Sequence, residues 1–167
     1  FLCIPIAALA ALAWWDERRG RRLPAVLSSW SPYAVIAAMC VVALVYTTPW
    51  DNYLVATRVW WYHPELVTGF VIGWVPIEEY TFFVLQPILT GLWLVFLARR
   101  FNPPPVQIGT PHAGLQRWGA LGALTMVWLV SVAILFTGKQ PLTYLALLLA
   151  WALPPLMLQV GFGGDIL

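Results

Sequence analysis

The chain has 167 residues, of which 61% are hydrophobic and only 10% charged, with 11 Trp and a formal net charge of +2. Soluble domains carry nearer a quarter charged residues, so this composition excludes an ordinary water-soluble domain and indicates an integral membrane protein. The small positive charge comes from clustered arginines near the expected helix ends, which sets topology and is no nucleic-acid footprint.

Five spans follow in chain order, at about 20 apolar residues per crossing. The first covers residues 1–15 and is short because the apolar run is already under way at Phe1. It has neither a basic n-region nor a small-residue cleavage site, so it reads as a span and not as a signal peptide. The second covers residues 32–48, with Ser31 as N-cap and Pro32 in the first helical position, where its missing N–H matters least. The third covers residues 77–98. A break follows at residues 101–117, where Pro103, Pro104 and Pro105 indicate an extended exposed linker. The fourth span covers residues 118–136 and the fifth residues 141–160, with a kink expected at Pro154 and Pro155. Gly161, Gly163 and Gly164 then read as a helix stop.

The expected fold class is therefore an all-α integral membrane protein with about five transmembrane helices. These would form part of a six- or seven-helix bundle built from two three-helix units. Residues 1–100 would make the first unit, 101–117 the linker, and 118–167 a second unit lacking its last helix. The chain opens and closes beside apolar runs, which suggests a fragment. Cys3 and Cys40 fall within spans and read as small packing residues, with no disulfide or metal site expected.

Lys and Arg fix the expected orientation. Arg18, Arg19, Arg21 and Arg22 follow the first span, and Arg99, Arg100 and Arg117 flank the linker; the opposite side has only Arg58 and Lys139. The positive-inside rule places the Arg-rich connections in the cytoplasm of a multi-pass protein of the cell membrane. The link across residues 48–76 then lies on the far side.

That link is unusual. It contains Thr48-Pro49-Trp50-Asp51-Asn52-Tyr53 and then Val59-Trp60-Trp61-Tyr62-His63-Pro64-Glu65. One reading is an aromatic belt at head-group depth, with Asp51 and Asn52 in a turn. The other brings Asp51 to the entry of the third span, beside Glu78 and Glu79. Residues 66–74 are apolar but too short to cross, which suits an interfacial or re-entrant piece leading into Pro76. Non-helical backbone at that depth needs protein or a cavity to cover it.

The third span opens with Pro76-Ile77-Glu78-Glu79-Tyr80-Thr81-Phe82-Phe83. Glu78, Phe82 and Gln86 share one helix face, and Glu79 and Phe83 lie about 100° round. The two acids can simply complement a helix N-terminus. A pair followed by Phe-Phe and a mid-span Gln points further, because ionisable groups in a membrane helix are expensive to keep. Two neighbouring carboxyls in a poorly solvated site cannot both ionise cheaply. One can hold a proton as general acid while its partner serves as base. The faces of Tyr80, Phe82 and Phe83 can steady a developing cation. Such a site would protonate an alkene, close a ring and remove a proton elsewhere.

Other chemistries find no motif. There is no GxGxxG following a strand, no pair of aspartate-rich motifs for Mg²⁺ and a diphosphate, and no ligand spacing around His63 or His112.

The motifs across residues 48–53, 60–62 and 75–83 closely resemble the small membrane-type lycopene cyclases. These occur as paired bacterial subunits, as single fused chains, and as the N-terminal part of fungal bifunctional enzymes. The likeness is strong from Thr48 to Leu97 and looser elsewhere. It implies cyclisation of the linear end group of lycopene to a β-ionone ring, an isomerisation without net redox change and without a cofactor. It makes Glu78 and Glu79 the acid and base, in either assignment, with Asp51 a third participant. Trp50, Asn52, Trp61, Tyr80, Phe82, Phe83 and Gln86 would line the substrate. Lipid and a second cyclase subunit, or another copy of the chain, are the expected partners. Fused members carry a further acidic motif, whereas the one acid here after Glu79 is Asp165. A carotenoid-binding subunit with a cyclase-like fold is the alternative, and a proton-coupled transporter fits less well for want of a continuous polar path.

Overall fold

The computed structural model describes residues 1–101, 111–137 and 142–163, apart from the side chains of 26, 111–113 and 163. Five helices carry the fold: α1 (Cys3–Arg18), α2 (Pro32–Ala56), α3 (Ile77–Arg100), α4 (Pro111–Thr137) and α5 (Thr143–Gly163). A hairpin of β1 (Val71–Ile72) and β2 (Val75–Pro76) precedes α3, and single 3₁₀ turns occupy Ala25–Leu27 and Pro64–Leu66. Among the described residues, four helices, all but α1, are long and apolar enough to cross a membrane. The chain is an all-α integral membrane protein.

It divides into two compact units, Phe1–Pro103 and Pro104–Leu167. In the first, α3 packs on both α1 and α2. Cys40 Sγ donates to the Val84 carbonyl at 3.6 Å across the α2–α3 seam. Gly91 allows close approach there, since a Cβ at this position would collide with Cγ1 and Cδ1 of Ile36. Small residues at such seams let helix backbones meet where lipid provides no hydrophobic drive. In the second unit α4 and α5 pack together, with Trp128 Nε1 donating to the Ala150 carbonyl at 3.0 Å. The Arg117 guanidinium donates to the Gly161 carbonyl. Ala146, Leu147 and Leu153 of α5 are buried.

The second expected span needs correction. It does not end at Thr48: α2 continues through Pro49 to Ala56, so Asp51 and Asn52 lie on helix and not in a turn. Proline removes one helical N–H. At Pro49 the bond lost is the one to the Val45 carbonyl, four residues back; in the next turn the side chain of Asn52 donates to the Thr48 carbonyl at 2.9 Å. The helix stops instead at Arg58, which holds a left-handed φ of 59°. Arg58 N–H reaches the Val55 carbonyl and Val59 N–H the Leu54 carbonyl, the two bonds of a Schellman stop. The same stop closes α1, with Gly20 at φ 69° in the left-handed position.

Other boundaries shift less. Ser31 occupies the N-cap position of α2, but its side chain makes no capping bond. The fourth helix begins at Pro111, not at 118, and α5 runs through Gly161 to Gly163 without stopping at the first glycine. Residues 102–110 of the expected linker, together with Lys139, Gly164 and Asp165, lie outside the described residues.

Residues 66–74, expected as an interfacial or re-entrant piece, form a turn and the first half of the hairpin. Val71 pairs with Pro76 and Ile72 with Val75 around Gly73-Trp74. Gly73 has a φ of 66°, as the first position of a two-residue type II′ loop requires. Pro76 has no N–H for the ladder; the next residue, Ile77, donates to the Phe70 carbonyl at 2.9 Å. Val75 is fully buried beneath the hairpin, which pins it to the α2–α3 pair.

Candidate functional site

The extension of α2 brings Asp51 and Asn52 level with the first turn of α3. Asn52 is the organiser. Its Nδ2 donates to the Tyr80 hydroxyl at 3.0 Å, and its Oδ1 accepts from the Trp74 N–H at 2.8 Å. The Tyr80 hydroxyl in turn donates to the Ile72 carbonyl at 2.8 Å. Asn52 and Tyr80 thus tie α2, the hairpin and α3 into one rigid corner. Gly73 completes the fit, since a Cβ there would collide with Asn52 Oδ1.

Three carboxyl groups lie around this corner. Glu78 Oε1 accepts from the Thr68 N–H at 2.6 Å, while its Oε2 is shielded without a hydrogen-bond partner. Asp51 Oδ2 accepts from the Tyr62 hydroxyl at 3.1 Å. Glu79 is half-buried and lies within electrostatic reach of both Asp51 and Glu78. Among the described residues, no Lys, Arg or His forms an ion pair with any of the three. No group of His, Cys, Asp and Glu among the described residues is arranged to hold a metal ion.

Tyr62 is the residue that sequence reasoning left in the aromatic belt. Burial and the nearby charges of Asp51 and Glu79 push its phenol well above the usual tyrosine range. Both effects disfavour the phenolate, so Tyr62 remains a hydrogen-bond donor throughout the physiological pH range. Its position just beyond the α2 stop was the available signal, but only once α2 is carried past Pro49.

The remaining predicted site residues divide. Tyr80 and Phe83 pack edge to face, with ring centroids 5.9 Å apart, on the inner side of α3. Trp50 stacks on Tyr53 with centroids 6.1 Å apart. Trp61, Phe82 and Gln86 are exposed, with Trp61 the most open at 77%. The stripe of Glu78, Phe82 and Gln86 therefore turns outward beyond its first member, while Glu79, Tyr80 and Phe83 are half-buried.

The family model described as Lycopene cyclase matches residues 3–97, more than half of the chain and every element of this corner. The chain belongs to the lycopene cyclase family. Among curated relatives, a lycopene beta-cyclase of Halobacterium salinarum is 37% identical over 164 residues, covering 95% of this chain and 60% of the relative. A bifunctional lycopene cyclase/phytoene synthase of Podospora anserina is 37% identical over 138 residues, covering 77% of this chain and 22% of that protein. A protein of the same description from Sporisorium reilianum is 47% identical over 66 residues, covering 40% of this chain and 10% of its own length. The chain thus spans about three fifths of the Halobacterium relative. No solved structure matches the chain significantly.

Proposed function

We propose that this lycopene cyclase family chain catalyses the acid-driven closure of the linear end group of lycopene to a β-ionone ring. The observation that carries this reading is the gathering of Asp51, Glu78 and Glu79 at one corner with no cation paired to any of them among the described residues. A carboxyl group that gives up and recovers a proton works best when no guanidinium holds it as an anion.

In the proposed reaction, one carboxylic acid protonates the terminal double bond and leaves a tertiary cation. A neighbouring double bond attacks that cation and forms the ring bond, moving the positive charge onto a ring carbon. A carboxylate then takes a proton from the adjacent carbon, and the ring double bond forms. Atoms and electrons balance without any oxidant. Glu78 and Glu79 are the candidates for acid and base. Asp51, held by Tyr62, is the third participant. The rings of Tyr80 and Phe83 offer negative faces to the cationic intermediate. Trp50, Trp61, Phe82 and Gln86 are candidates for contacts along the polyene, with Asn52 setting the corner.

The substrate on this reading enters from the lipid, and the site lies across the cell membrane from the Arg-rich helix ends, which face the cytoplasm. A second subunit or another copy of the chain would complete the assembly. The test is pigment analysis of lycopene-producing bacteria expressing the full-length protein, beside Glu78→Gln and Glu79→Gln at equal expression. The expected result is β-rings from the wild type and none from at least one variant. Unchanged lycopene that co-purifies with the wild-type protein would support a carotenoid-binding subunit instead.

A further inference from the structure

The chain between α2 and α3 is built inside out. Residues 66–77 contain no Asp, Glu, Lys, Arg or His, and Thr68 is the one polar side chain among them. Leu66, Phe70, Val71, Ile72 and Trp74 are all exposed, Phe70 at 76% and Trp74 at 65%. The backbone of the same stretch turns polar groups inward. Thr68 N–H donates to Glu78 Oε1 at 2.6 Å, and Trp74 N–H to Asn52 Oδ1 at 2.8 Å. The Ile72 carbonyl accepts from the Tyr80 hydroxyl at 2.8 Å, and the Phe70 carbonyl from the Ile77 N–H at 2.9 Å. A loop in water has solvent for its backbone and hides its apolar side chains. Here helix side chains take up loop backbone beneath an uncharged apolar surface, as a poorly hydrated setting demands.

The same hydrogen bonds fix the depth. With 25 and 24 residues, α2 and α3 are each about 36 Å long or slightly more. Standing upright, they overhang a hydrocarbon core of about 30 Å by about 3 Å at either end. Asn52 lies one turn before the end of α2, and Tyr80 closes the first turn of α3. Trp74 and Ile72 are bonded to these two residues, so the hairpin tip sits beside the helix ends and not above them. Its level is the hydrocarbon boundary, where tryptophan concentrates. The outer edges of a two-stranded ribbon keep unpaired backbone groups, which suits this boundary and not the bilayer centre. The strip is continuous with the membrane-crossing surface, because β2 packs on both α2 and α3.

We infer that residues 66–74 form a lipid-immersed lip of the site, with Phe70, Val71, Ile72 and Trp74 seated at the hydrocarbon edge of the nearer leaflet. The inner side of the lip holds Glu78 through Thr68, so one strip of chain separates lipid from the carboxyl corner. On the proposed cyclisation, an apolar polyene passes this strip directly from the leaflet. The placement of the lip does not rest on that reading.

Nitroxide accessibility tests the placement. The full-length protein, with its native cysteines replaced (Cys3→Ala and Cys40→Ser among them), would carry one new cysteine at a time. Each would be spin-labelled and reconstituted in phosphatidylcholine bilayers. Phe70→Cys and Trp74→Cys report the lip. Val45→Cys, midway along α2, gives the lipid reference, and Glu65→Cys, on the turn before the lip, gives the water reference. All four positions are exposed, so the labels should leave the fold intact, which helical circular dichroism checks. Oxygen concentrates in hydrocarbon, whereas a nickel chelate stays in water. The oxygen-to-nickel collision ratio is expected to be several-fold higher at Phe70 and Trp74 than at Glu65, approaching that at Val45. Ratios equal to that at Glu65 would put the lip in water and overturn the inference. Labels that neither reagent reaches would show the lip covered by protein, a second subunit or another copy, and would overturn it equally.

Discussion

At the Arg99–Arg100 end of α3, the carboxylates of Asp16 and Glu17 each lie within 2.8 Å of a guanidinium. At the Glu78–Glu79 end, Asp51 and Glu78 meet a phenol and a backbone N–H, and among the described residues none of the three acids forms an ion pair. The same helix thus ends in two acidic clusters with opposite settings. Asp16 is fully buried and gripped by both Arg100 and Arg21, an arrangement that fixes charge and holds α1 against α3. In the other cluster a phenol and a backbone N–H, both neutral, hold Asp51 and Glu78, the setting that the proposed proton exchange calls for. On the proposed reading, this contrast separates an acid kept for structure from one available for chemistry more sharply than burial alone.

Substitutions should respond in kind. Glu79→Gln is expected to lower ring formation at least about a hundredfold, the scale of a lost general acid or base, with little change in thermal stability. Product analysis at equal protein level, with a melting curve in detergent, checks both halves. Asp16→Asn should do the reverse. Breaking a buried ion pair from one side typically costs about 3–5 kcal/mol, so its melting temperature should fall while residual folded protein still turns over. If Asp16→Asn instead abolished turnover in folded protein, the two ends would not be separable.

Gly91→Leu tests the seam that holds α2 beside α3. Overpacking against Ile36 should destabilise the unit by about 1–3 kcal/mol. Gly73→Ala strikes the corner directly, through the positive φ and the collision with Asn52. It should cost about 1–2 kcal/mol and reduce ring formation by loosening Tyr80, which a pigment assay with a melting curve would separate. Arg58→Gly should have the smallest effect and the opposite sign. It relieves a left-handed arginine where the equivalent stop of α1 already uses Gly20, and should stabilise by about 1 kcal/mol.

Much of this was legible in the sequence. Apolar length set the membrane class and four of the spans, and the acids of Pro76-Ile77-Glu78-Glu79 marked the start of α3. What misled was Pro49. A proline at the end of an apolar run reads as an exit, yet α2 continues through Pro49 to Ala56, at the loss of a single helical N–H. That one boundary hid the partnership of Asp51 with Tyr62, because eleven residues of supposed loop carry no fixed distance. The hairpin was more accessible: Val71-Ile72-Gly73-Trp74-Val75 has the Gly-X turn between apolar pairs that a two-residue loop needs. The direction in which Gln86 and Phe82 face was not legible, since period alone relates residues on a helix to one another and not to a neighbour.

The most direct measurement is the deuterium content of the product. Lycopene would be supplied in D₂O to membranes carrying the full-length protein or its Glu78→Gln, Glu79→Gln and Asp51→Asn variants, and the carotenes weighed by mass spectrometry. Proton donation from a solvent-exchanged carboxyl group predicts one deuterium for each ring formed by the wild type, and ring formation lost in at least one Glu variant. Rings that form without deuterium, or that form equally in all three variants, would contradict the account.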